Sequence, residues 1–158
     1  MAKRQTAQKF PRRYFSGLSE AKQKEREREL ARRVKAARKG KPDYRPLKTD
    51  FDRAGKLLPT KRSGHVGKYE RKYGSDAPKG VDGVAKVTRV PRRIIQEVYD
   101  RGAAAWGTGG HRPGATQAAW AMARVYSFVT GGKTASTADA DLAAKANESL
   151  KRRGHPTI

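Results

Sequence analysis

Apolar and aromatic side chains concentrate in one stretch of this chain, Trp106 to Asp141 (WGTGGHRPGATQAAWAMARVYSFVTGGKTASTADAD), so any core must be organised around it. Two glycine loops bracket it. Gly107 to Gly114 leads in, and Thr130-Gly131-Gly132-Lys133 leads out. Between them Thr116 has the chemistry of an N-cap, and Gln117 to Val129 reads as one helix. Trp120, Ala123 and Ser127 fall on one face of it, while Ala119, Met122, Tyr126 and Val129 fall on a neighbouring one. Trp106, Trp120, Arg124, Tyr126 and Phe128 are the expected structural core. Arg124 cannot shed its charge, so a position among these aromatics demands a carboxylate, carbonyls or a ring face. Asp139 and Asp141 are the nearest acidic candidates in sequence.

The rest of the chain reads as helices and connectors, with no strand pattern of comparable quality. Ser19 is placed to cap a helix from Glu20 to about Lys39, whose apolar stripe of Leu30, Val34 and Ala37 is confined to its second half. Lys41 to Arg62 holds Pro42, Pro46 and Pro59 and reads as an extended connector. Ser63 is expected to cap a short helix from Gly64 to Tyr73, closed by Gly74, with Ser75 to Lys86 as a loop. Thr88 is then expected to cap a helix with Pro91 in its first turn, running through Ile94, Ile95, Val98 and Tyr99 towards Trp106. Asp139 is read as the cap of a last helix through Leu142 and Leu150, ended by Gly154. The fold class that follows is mainly α. A small C-terminal helical core (63–154, with 155–158 as a tail) carries a long basic, partly extended N-terminal arm (1–62), itself one charged helix and the connector.

The charge says more about partners than about a reaction. The 37 Lys+Arg against 15 Asp+Glu leave +22, and about two-thirds of the basic residues fall in the first 74 positions. An excess of this size points to a polyanion, of which nucleic acid is the commonest. Cysteine is absent, which excludes disulfides, thiolate zinc sites and cysteine nucleophiles. No run approaches the length of a transmembrane span, and the basic start lacks a secretory signal's apolar segment. The expectation is a protein outside the membrane and not secreted, with no cofactor.

Basic residues interleaved with aromatics carry the strongest binding signal. Arg12, Arg13, Lys61, Arg62, His65, Lys68, Arg71 and Lys72 are candidates to neutralise phosphates, beside Tyr14, Phe15, Tyr69 and Tyr73. His111, Arg112 and Lys133 join them, because the 107–114 glycine loop before a helix N-terminus has the makings of an anion contact. That loop matches neither the phosphate-loop spacing nor the dinucleotide fingerprint, and as a plain inter-helix loop it needs no ligand. The chain has no helix-turn-helix, zinc-finger or RNA-recognition signature, so phosphate contact is expected rather than base readout. Asp139 and Asp141, with His111 as a third group, are the alternative: a metal or acid–base site of a nucleic-acid-processing enzyme. Capping and helix-dipole stabilisation explain the same two aspartates without chemistry.

The segments PRRYFSGLS (11–19), KG (39–40), the KRSGHV…Y…YG run (61–74) and the block from Ala103 to Leu142 stand in this order. Together they resemble an uncharacterised domain family of tailed phages, including cyanophages, and of large DNA viruses of algae and amoebae. Gly110-His111-Arg112-Pro113-Gly114, Trp120, Ala123-Arg124 and Thr130-Gly131-Gly132-Lys133 are its most specific parts. The family carries no established activity. The resemblance implies a viral setting: a small basic, non-enzymatic virion component, minor capsid or internal, on nucleic acid or an acidic capsid surface. Its place would be the virion or the host cytoplasm or nucleus. A host-directed RNA- or ribosome-binding factor is a further alternative.

Overall fold

The computed structural model describes residues 10–158; the first nine residues of the expected arm lie outside the described residues. Among the described residues the chain is mainly helical, with seven α-helices and no strand. They are α1 (Glu20–Arg38), α2 (Gly64–Tyr73), α3 (Gly80–Thr88), α4 (Arg92–Thr108), α5 (Gln117–Val129), α6 (Lys133–Ser136) and α7 (Ala140–Arg152). No helix among them is long and apolar enough to cross a membrane.

Contacts divide the chain into two units. One holds the residues up to Thr60 together with Ala105–Ala115, and the other holds Lys61–Ala104 and Thr116–Ile158. The glycine loop therefore belongs by its contacts with the N-terminal segment, not with the helices that flank it.

In the first unit α1 begins where its sequence requires, with the Ser19 hydroxyl accepting the Lys22 N–H at 3.3 Å. A single-turn 3-10 helix (Arg12–Phe15) precedes it, and another (Lys48–Asp50) interrupts the expected connector, followed by one isolated bridge between Phe51 and Leu57. Tyr14, Leu30, Val34 and Leu47 are buried, so the segment read as an arm supplies core residues of its own.

The second unit is built on α5. The Thr116 hydroxyl accepts the Ala119 N–H at 3.1 Å, and the helix buries Ala121, Val125, Tyr126, Phe128 and Val129. Ile94, Ile95 and Val98 of α4, Val84 of α3, Tyr69 of α2 and Leu142, Ala146 and Leu150 of α7 complete this cluster. Tyr69 stacks obliquely on Tyr126 with ring centroids 4.9 Å apart and donates its hydroxyl to the Pro78 carbonyl at 2.6 Å. Burial, reinforced by the neighbouring tyrosines, pushes its phenol up to about 12. Trp120 is half-buried and outside this cluster, because α5 turns its 118–120 edge away from the buried side.

Three local expectations are corrected. Ser75 to Lys86 is not all loop: α3 starts at Gly80 despite two glycines, since Val84 and Thr88 give it a buried side. Thr88 ends that helix rather than capping the next one. Its hydroxyl donates back to the Val84 carbonyl at 2.8 Å and accepts the Val90 N–H at 3.3 Å. Asp139 stands at the N-cap of α7 but makes no side-chain cap bond, because its carboxylate is taken by arginines. Arg124 reaches it through two bonds, Nε to Oδ2 at 2.9 Å and Nη2 to Oδ1 at 2.7 Å, and Arg101 Nη1 adds a third at 3.3 Å. The Asp139 side chain is fully buried between them. Arg124→Ala removes the fork and leaves this carboxylate half-paired, with an expected loss of about 1.5–3 kcal/mol. Thermal melts of Arg124→Ala beside Arg124→Lys, which keeps the charge and loses the two-bond geometry, measure how much of that is geometric.

Candidate nucleic-acid interface

The largest concentration of chemistry in the first unit is buried, and it binds three distant parts of the chain together. Arg26 of α1 is fully buried. Its guanidinium donates from Nε to the Tyr14 carbonyl (2.6 Å), from Nη1 to Thr49 Oγ1 (2.9 Å) and Asp50 Oδ1 (3.0 Å), and from Nη2 to the His111 carbonyl (2.7 Å). Asp50 accepts three further bonds. The Gly114 N–H reaches Oδ1 at 2.9 Å, and the Leu47 N–H (2.7 Å) and His111 Nε2 (2.8 Å) reach Oδ2. Burial alone would push the Asp50 carboxyl up; the His111 hydrogen bond, the His111 and Arg26 charges and the Gly114 N–H outweigh it and hold the group low.

His111 completes the cluster. Its Nδ1 lies 3.0 Å from the Trp106 carbonyl, and Trp106 stacks on the imidazole with centroids 4.1 Å apart and planes 10° from parallel. Both ring nitrogens face acceptors, so the imidazolium is the form that satisfies both bonds. The Trp106 indole N–H goes to the Ala115 carbonyl at 2.8 Å, fixing the far end of the loop. The Gly107–Gly114 loop is thus tied to Asp50 by its histidine and its last glycine.

That arrangement resembles an acid–base pair in composition but not in access. His111 is 1 % exposed and Asp50 is fully buried, with their polar atoms already engaged. His111, expected at the anion contact, has no face turned to a ligand. Asp139 and Asp141 belong to the other unit, where Arg101 holds Asp141 by two bonds of 2.9 and 2.8 Å. The Arg101 guanidinium keeps the Asp141 carboxyl well below the usual carboxylate range. Among the described residues no cluster of three His, Asp or Glu side chains is arranged to hold a metal ion.

The remaining candidates fall on the surface. Arg12 and Arg13 are exposed on the first 3-10 turn, Arg112 is half-buried, and Lys133 is exposed at the start of α6. In the second unit Lys68, Arg71 and Lys72 are exposed on α2, spaced i, i+3, i+4 and so on one face, with Lys61 exposed just before the helix. The opposite face carries Val66, Tyr69 and Tyr73 into the core. The helix forms because Ser63 caps it, its hydroxyl accepting the His65 N–H at 3.2 Å. Glu70, the acidic residue of α2, is withdrawn from the basic face by Arg62 and by Lys79 at 3.2 Å. The Lys72 ammonium also donates to the Val129 carbonyl at the end of α5 (3.3 Å), so its charged head is partly engaged within the unit while the rest of the side chain is exposed. His65 is half-buried beside this face.

Arg26 and Asp50 were not singled out from the sequence, though a signal for the first existed. Arg26 lies one helical turn before Leu30, on the line of the Leu30–Val34 stripe. Asp50, in a proline-rich connector, gave none.

Residues 11–148 match the model of a family described as a family of unknown function (DUF5824). The chain belongs to that family. The matched range contains Arg26, Asp50 and the 107–114 loop as well as α2, so the buried cluster and the basic face both lie within the family domain. No curated protein and no solved structure matches the chain.

Proposed function

We propose that this protein is a non-enzymatic, phosphate-directed nucleic-acid binder, acting as a minor capsid or internal component of a virus particle. The observation that carries the reading is the exposed row Lys61, Lys68, Arg71 and Lys72, from which the helix's own carboxylate is drawn away by Arg62 and Lys79. Acids such as Asp43, Asp50, Glu70, Asp139 and Asp141 are taken up in internal pairs with arginines, so the net charge of +22 is carried by basic side chains outside those pairs. A helix face of this kind follows a phosphate backbone without reading bases. The resemblance to phage and large-DNA-virus proteins supports the viral setting.

Binding to duplex DNA is expected to weaken steeply with salt, with a slope of about −0.9 in log K against log[salt] for each phosphate neutralised. Reversing Lys68, Arg71 and Lys72 to Glu should flatten that slope by about 2–3 with only a small drop in melting temperature, which comes from the lost Lys72–Val129 bond, since all three side chains are exposed. Fluorescence anisotropy across a salt series measures the slope, and a thermal melt the stability. A slope indifferent to the triple reversal would remove α2 from the interface, and tight preference for one sequence would argue against phosphate-directed contact. Quantitative mass spectrometry of purified particles tests the setting: a defined copy number per particle is expected, and absence from particles would overturn it.

A further inference from the structure

A second surface, in the first unit, has a different chemistry. A cavity of about 680 Å³ opens between α1 and the 41–45 turn, lined by Glu29, Arg32, Arg33, Lys41, Tyr44 and Arg45 among others. Its size suits a nucleotide-sized group. Its walls are fixed from within. Arg33 donates to the Arg45 carbonyl and, at 3.1 Å, to the Pro46 carbonyl, which pins the turn to α1. The two acids of the lining are spent on the same framework. Glu29 accepts the Lys48 N–H at 3.0 Å and lies 3.8 Å from Arg33, while Asp43 accepts the Arg45 backbone N–H (2.9 Å) and its guanidinium (3.1 and 3.0 Å). The Arg45 guanidinium, then its backbone N–H, hold the Asp43 carboxyl down to about 2, so the framework stays charged in neutral solution.

What remains for a ligand is Arg32, Lys41 and Tyr44. Arg32 and Lys41 are exposed, and among the described residues neither takes part in an ion pair with a carboxylate. Tyr44 is 43 % exposed, more than the other large apolar side chains of the described chain. Its ring is nonetheless seated. Its Cδ1–Cε1 side meets Gly107, where a Cβ would lie 2.5 Å from Cδ1 and 2.7 Å from Cε1, so only glycine admits the ring there. An aromatic ring seated on one side, 43 % exposed, and sharing its cavity with two exposed cations is an arrangement suited to stacking a base and neutralising its phosphate.

We propose that this cavity binds an unpaired base of single-stranded nucleic acid, stacked on Tyr44, with the adjoining phosphate between Arg32 and Lys41. A duplex does not offer this ligand, because its bases are stacked on one another; a free anion would need no ring. The inference rests on the nucleic-acid reading above and adds to it a site for a strand with exposed bases.

The test uses the full chain, a labelled oligothymidylate, and an abasic oligomer of the same length and phosphate count at one salt concentration. Thymidylate should bind on the order of tenfold more tightly or better, the range expected for one stacked base. Tyr44→Ala should abolish that preference and leave the abasic affinity unchanged, whereas Tyr44→Phe, which keeps the ring, should retain it. The pair Arg32→Gln and Lys41→Gln should weaken both oligomers alike. Equal affinity of the parent chain for the two oligomers overturns the base pocket and leaves phosphate-directed binding standing. A preference that survives Tyr44→Ala also overturns it, by placing the stacking elsewhere. If neither oligomer binds, the base pocket is overturned, and the duplex salt series decides the broader reading separately.

Discussion

Asp50→Asn should destabilise the first unit by about 3–5 kcal/mol, because it leaves the Arg26 guanidinium and the His111 ring in a buried site without their counter-charge. The carbonyls of Tyr14, Trp106 and His111 would still accept from them, so the polar groups are not orphaned, but three acceptors do not replace an anion. Against a typical total of about 5–15 kcal/mol the loss is large enough to unfold this unit at moderate temperature. Far-ultraviolet circular dichroism and tryptophan fluorescence during denaturant titration, the latter in a Trp120→Phe background so that Trp106 reports alone, measure it, and a second transition from the other unit should be left in place. The same carboxylate sets a pH dependence. Its folded pKa lies below the unfolded value of about 4, so its contribution is present above that value and is lost as pH falls through the folded one. The parent chain should therefore lose stability on acidification more steeply than Asp50→Asn. Parallel acid profiles would count against the assignment.

Gly114→Ala should have the next largest effect, roughly 2–5 kcal/mol from two sources, backbone strain and a clash. Gly114 has φ +76°, which costs an alanine about 1–2 kcal/mol, and its Cβ would fall 2.0 Å from the Leu58 carbonyl oxygen. Relieving a clash with a backbone atom requires the segment to shift, at the overpacking cost of about 1–3 kcal/mol. The shift would also stretch the Gly114 N–H bond to Asp50, so a Gly114→Ala, Asp50→Asn double variant should lose less than the two singles added together. Gly131 supplies the control. It has φ +69° with nothing within 4 Å of a Cβ, so Gly131→Ala should show the backbone cost alone. Equal losses at 114 and 131 would mean that the contact with Leu58 does not matter.

Where capping residues are well placed, helix boundaries could be read directly. Ser63 and Thr116 gave α2 and α5 their observed first residues, since in each a hydroxyl stands before a segment with an apolar face. The same logic failed at Thr88, a β-branched residue equally able to turn its hydroxyl back on the preceding turn. At Asp139 it placed the start of α7 but not the bond, because the Arg124 guanidinium is a stronger partner for the carboxylate than a backbone N–H. α3 was illegible because Gly80 and Gly83 lower its propensity, and it is held by burial of Val84. Of the candidate interface, the α2 face was legible from spacing. The Arg26–Asp50–His111 cluster was not: its members belong to a charged helix, a proline-rich connector and a glycine loop, and only the fold makes them neighbours.

The wide spacing of that cluster bears on how the protein is made. Arg26 bonds the carbonyl of a residue 85 positions further on, and Asp50 bonds an amide 64 positions further on. At a synthesis rate of about 5–20 residues per second, His111 and Gly114 leave the ribosome on the order of 3–12 s after Asp50. Until then the N-terminal segment holds an arginine and an aspartate destined for its interior, with several of their hydrogen-bond partners not yet translated. A nascent chain released before Gly114 would keep that half-completed cluster exposed, which makes it a substrate for chaperones and proteases and ties the survival of the N-terminal segment to translation past the glycine loop.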